Sequence, residues 1–195
     1  MTYEYSNPAM GSLFGYTDFL QQEETAFAKH PGLIKILWNR NEVPVPIQID
    51  DLYFDLQAHQ VITTTYFQKV IFPPHSAALD AFLFNREFYC IADHDSEVSC
   101  NGILFFGTQD IPVLSIPGEQ RRKFDLLREV MLDEFKTQDK IQCDMLQMLL
   151  KRLIIICTRL AKEQLIVKSL NDAQIDIIRQ FNVLVDIHFK TKRHV

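Results

Sequence analysis

The chain has six histidines, His30, His59, His75, His94, His188 and His194. Imidazole binds metals and moves protons near neutral pH. A metal site on an extended segment would set His-x-His on one face and add a carboxylate. No two of these histidines are separated by one residue. Asp93-His94-Asp95 is the densest group, but adjacent side chains on an extended loop diverge, so it reads as a solvated acidic loop. The cysteines, Cys90, Cys100, Cys143 and Cys157, form no C-x-x-C pair and have no histidine at zinc-finger spacing. They read as reduced thiols, although a Cys90–Cys100 bridge across a hairpin is geometrically conceivable. No G-x-S-x-G elbow occurs, and no two glycines stand closer than four residues, which excludes a G-x-G-x-x-G loop. The acidic pairs Asp50-Asp51 and Glu23-Glu24 are only sequence neighbours. No catalytic residue, metal ligand or cofactor is expected, and the chain reads as a non-enzyme.

The elements that must position any site fall into two regimes. All 6 Gly and all 8 Pro lie within residues 1–118. Charge divides at the same point: 5 Lys+Arg against 14 Asp+Glu before it (−9), and 15 against 11 after it (+4). Such a division is unlike a disordered or collagen-like chain, or a single homogeneous fold. Leu33–Trp38, Pro44–Asp50, Leu52–Leu56, Gln60–Thr65, Val70–Phe72, Ala78–Phe84, Gly102–Phe106 and Ile111–Ile116 are apolar or alternating runs bounded by turn residues. Seven or eight such strands predict an antiparallel sandwich or small barrel. Strand–helix alternation is missing, which disfavours a parallel sheet.

After Glu119 the period changes. Phe124, Leu127, Met131 and Phe135 share one helical face. A long helix is expected over 138–164, with Thr137 as N-cap and Asp139 at the positive dipole end. Leu146, Leu150, Leu153, Cys157 and Leu160, spaced 4-3-4-3, form an a/d seam, read as a homodimer interface. Ile141, Met145, Met148 and Ile155 line a second stripe, and Asn171 or Asp172 can cap a third helix running to Phe189. Met145–Leu160 is interrupted by Lys151, Arg152 and Arg159, so it does not read as a membrane span. No secretory signal pattern opens the chain, and a cytoplasmic location is expected. Arg121-Arg122-Lys123 and Lys190–Arg193 are short basic clusters better explained as helix ends than as a nucleic-acid surface.

The 84–107 block is the distinctive part of the chain, with Phe84-Asn-Arg-Glu-Phe-Tyr-Cys-Ile91, Asp93-His-Asp95 and Glu97-Val-Ser-Cys-Asn-Gly-Ile-Leu-Phe-Phe-Gly107. It resembles the end of the sensor barrel in AraC-type (AraC/XylS) transcriptional regulators. Ile47–Asp50 with Tyr53-x-Asp55-Leu56 is similar to that family's hairpin, and Phe181–Phe189 with Lys192–Val195 to its connecting helix. The resemblance implies an α+β chain with three parts. These are an arm (1–26), an antiparallel cupin-like β-barrel sensor (27–118) and an all-α dimerisation and linker unit (119–195). It further implies a small-molecule effector, a homodimer, and DNA contact only through a helix-turn-helix domain that this sequence does not contain. A pocket should be mostly apolar with a few aimed polar groups, for which Trp38, Tyr53, His59 and His75 are the candidates. The alternative reading is a small cupin-type metal-dependent or sugar-handling enzyme.

Overall fold

The chain opens as a hairpin, β1 (Thr2–Asn7) and β2 (Ser12–Thr17), whose turn places Gly11 at φ +65°, a region that costs a glycine little. The computed structural model describes residues 1–18, 27, 32–72, 78–90, 104–105 and 111–165. Seven more strands follow: β3 (Ile34–Trp38), β4 (Val45–Ile49), β5 (Leu52–Leu56), β6 (Gln60–Thr64), β7 (Val70–Ile71), β8 (Asp80–Phe84) and β9 (Val113–Ser115). Two helices close the described chain, α1 (Gly118–Glu134) and α2 (Gln142–Leu165).

Among the described residues every strand pairing is antiparallel, which makes the architecture α+β as expected. One sheet has the order β1-β2-β8-β3-β6-β9 and a second the order β5-β4-β7. Among the described residues the two sheets do not join into a closed barrel. They stack instead.

Period-two alternation explains the stacking. Leu13, Leu37, Ile62, Ala81 and Leu83 point from the large sheet toward Val45, Ile47 and Ile49 of the small one. The alternate residues, Phe14, Tyr16, Ile36, Trp38, Phe82 and Phe84, face the other way and pack with both helices. The middle of the large sheet is thus buried on both faces, and every residue of β2 and β8 is buried. Each fully buried Leu or Phe contributes about 1.5–3 kcal/mol of transfer free energy.

Three expectations are corrected here. The helices are not a separate all-α unit, because their inward face shares one core with the sheet. The first 17 residues of the expected arm (1–26) are built into the large sheet, because β2 pairs with β8. Thr137 is not the cap of the long helix: Asp139 Oδ1 accepts the Ile141 N–H at 2.9 Å. Gln142 then reaches back to the Glu134 and Phe135 carbonyls, satisfying the C-terminal end of α1. The third helix, Asp93-His94-Asp95, most of the 84–107 block and the 102–106 strand apart from Leu104 and Phe105 lie outside the described residues.

Gly15 is required by packing. A Cβ there would stand 2.2 Å from a ring carbon of Phe27. Gly15→Ala should therefore cost about 1–3 kcal/mol, seen as a lowered Tm, and a second change, Phe27→Leu, should recover part of it.

Candidate functional site

Among the described residues the one charged side chain that is buried stands where β8 begins. Asp80 shares the parity of Phe82 and Phe84, so its carboxylate enters the same layer and is buried. Arg128 lies on α1 between Phe124 and Met131, on the face that meets the sheet. Its guanidinium crosses to Asp80, with Nε 2.6 Å from Oδ2. That N–H is aimed at Tyr16 Oη, 3.0 Å away, so the contact with Oδ2 is an ion pair without a hydrogen bond. Arg128 Nη2 also donates to Tyr16 Oη. Tyr16 donates its own proton to Asp80 Oδ1 at 2.9 Å.

Arg40 completes the cluster from the end of β3. It lies 3.6 Å from Asp80 Oδ2 and 3.2 Å from Asp125 Oδ1, with its guanidinium 5.3 Å from the Trp38 ring centroid. Two guanidiniums thus meet two carboxylates, leaving no net charge to hold an ion. Burial is the largest influence on Asp80 and raises its pKa, against the opposing pull of Arg128, Tyr16 and Arg40. Burial also pushes the Tyr16 hydroxyl well above the ordinary tyrosine range, with Asp80 adding to the effect. A hydroxyl held protonated in this way is a hydrogen-bond donor at neutral pH and a poor base. The cluster can therefore tie α1 to β2 and β8, an electrostatic latch across the sheet–helix boundary.

The expected pocket residues are dispersed. Trp38 is buried toward the helices, its ring 5.6 Å from that of Phe124. Tyr53 is 78% exposed on β5, at the opposite surface. His59 occupies the β5–β6 turn at φ +58°, with Nε2 3.3 Å from Glu42 Oε1. These three do not line one cavity, and His75 lies outside the described residues. Asp50, of the Asp50-Asp51 pair, is a turn residue at φ +52°, and its carboxylate accepts the Lys69 N–H at 2.9 Å.

The expected dimer seam is also corrected. Leu146, Leu150, Leu153, Cys157 and Leu160 are at most 4% exposed within the single chain, because α2 spends that face on the sheet and α1. Of the second stripe, Ile141, Met145 and Met148 are exposed, while Ile155 is partly buried against the core. Cys90, Cys143 and Cys157 are free thiols, and burial pushes Cys157 up to about 12, which leaves it unreactive. Among the described residues no three metal-ligating side chains converge, and no helix is long and apolar enough to cross a membrane.

Asp80 and Arg128 escape a motif search because neither belongs to a motif. Their signal is positional: a charge at the apolar parity of a strand, and another at the apolar period of a helix. Against protein-family models the chain finds no match, and no curated protein matches it either.

Proposed function

We propose that the chain is the effector-sensing and dimerisation region of an AraC-type transcriptional regulator, its antiparallel strands being the described part of a cupin-like sensor. In such a regulator, DNA would be reached through a helix-turn-helix domain outside this sequence. The observation that carries the reading is the order and connection of the layers. A stacked pair of antiparallel sheets is followed by two helices, and Asp80, Tyr16 and Arg128 fasten the first of those helices to the sheet. A sensor needs such a rigid joint, since a change in the sheet reaches a partner only through an element coupled to it.

Pairing then falls to the face of α2 that the chain leaves uncovered. Ile141, Met145 and Met148 are exposed by 61%, 38% and 66%, more than a helix on a plain solvated surface needs. The test joins the chain to a DNA-binding domain that represses a reporter only as a dimer, with sedimentation mass as the second readout. The expected result is repression, lost in Met145→Glu/Met148→Glu with unchanged Tm and a halved mass. A monomer at concentrations up to about 100 μM, with no repression, would remove the reading. A thermal-shift screen of small metabolites should find one that raises Tm, as binding to the folded state alone requires.

A further inference from the structure

The two edges of the six-stranded sheet are finished differently. At the β9 edge the Gln164 carboxamide accepts the Ser115 N–H at 2.9 Å and donates to the Ser115 carbonyl at 2.7 Å. It thereby occupies the positions that a further strand would use.

At the β1 edge no such cap is present among the described residues. Asp18 N–H donates to the Met1 carbonyl, so the antiparallel ladder turns the backbone groups of Met1, Tyr3, Tyr5 and Asn7 toward β2. The N–H and C=O groups of Thr2, Glu4 and Ser6 consequently face outward.

Beside this edge runs a groove of about 500 Å³ between β1 and the C-terminal half of α1. Tyr3, Val130 and Leu132 give it apolar walls, and Glu129 and Asp133 stand on its rim. An edge strand alongside a helix, with an apolar groove between them, is a geometry that takes up an extended peptide.

We infer that the β1 edge and its groove bind an extended peptide segment in which apolar side chains alternate with lysine or arginine. Main-chain hydrogen bonds to Thr2, Glu4 and Ser6 would hold the added strand, and one set of alternate side chains would enter the groove. Charge selects the partner. Glu4, Glu129 and Asp133 outnumber Lys136, which itself lies 3.5 Å from Asp133 Oδ1, and the Met1 ammonium is taken up by Asp18. A second copy of β1 fits worse, because antiparallel pairing about its centre sets Glu4 against Glu4. This inference does not rest on the regulator reading.

The experiment is a fluorescence-anisotropy titration with a short labelled peptide of alternating valine and lysine, and a valine–glutamate peptide as its counterpart. Binding of the lysine peptide alone is expected. Ser6→Pro removes an outward N–H without touching the β2 ladder or any charge, and should weaken binding about tenfold. Glu4→Lys, on the face that the lysine side chains of the added strand share, should weaken it at least as much. Amide exchange adds a readout on the unaltered chain, in which the peptide should protect the Thr2, Glu4 and Ser6 amides. This keeps the test decisive if Ser6→Pro lowers Tm. Failure to bind, equal binding of the glutamate peptide, or binding indifferent to Ser6→Pro without amide protection would each overturn the inference. So would a sedimentation mass that halves in Ser6→Pro, which would make a second copy the occupant; loss of the α2 pairing would leave the peptide result unchanged.

Discussion

Arg128→Met is expected to destabilise the protein by about 3 kcal/mol at neutral pH, the lower part of the range for stripping one partner from a buried ion pair. The lower part applies because Tyr16 still donates to Asp80 Oδ1 and Arg40 still lies 3.6 Å from Oδ2. The pH dependence separates this mechanism from simple loss of packing. Burial already holds the Asp80 pKa above its ordinary value, and Arg128 is the largest influence opposing that rise. Without Arg128 the folded pKa climbs further. Between the unfolded and folded values the native state then holds a proton that the unfolded chain has released. Stability from this group is therefore greatest in acid and falls as pH rises through the folded value. The penalty of Arg128→Met, measured as the difference from wild type in urea unfolding, should shrink as pH is lowered and Asp80 takes up its proton. Adding Asp80→Asn should recover much of the neutral-pH loss. A penalty that is flat in pH, or grows in acid, would show that Asp80 is not the group left exposed to the cost.

The same cluster marks where sequence patterning stops being informative. Strands β3, β4, β5, β6 and β8 are legible because their apolar and polar residues alternate, or run unbroken between turn signals. β1 and β2 are harder to see. Tyr3 and Tyr5 alternate with Thr2, Glu4 and Ser6, but the polar half of the pattern and the open turn around Gly11 resemble a loose tail. Barrel closure is not legible at all, since it depends on which distant strands meet. Here β2 pairs with β8 across more than sixty intervening residues. The charge cluster is hidden for the same reason: Tyr16, Asp80 and Arg128 are brought together only by the sheet order and by the placement of α1.

The long helix shows the limit most clearly, because its apolar spacing is read correctly while its partner is not. A 4-3-4-3 seam states that one face must be covered, and a sheet covers it as well as a second helix does. Leu150→Glu is the decisive substitution. Leu150 is fully buried among Leu146, Leu153, Ile154 and Cys157 against the sheet. Removing the leucine alone is expected to cost about 2–5 kcal/mol, as Leu150→Ala should show. The glutamate adds an ionisable group with no partner in that layer, and the total exceeds the margin of most domains. The expected result is an unfolded or insoluble protein, seen as lost near-UV circular dichroism and no cooperative melt. Met148→Glu, two residues away on the exposed face, should melt within a few degrees of wild type. The opposite pattern would place the leucine face outside: a folded monomer from Leu150→Glu, with Met148→Glu the variant that unfolds. A seam between two chains would yield folded monomers, because each chain would keep its own core. A face turned onto the sheet has no such escape, since the charge must then enter the layer that holds the six-stranded sheet to both helices.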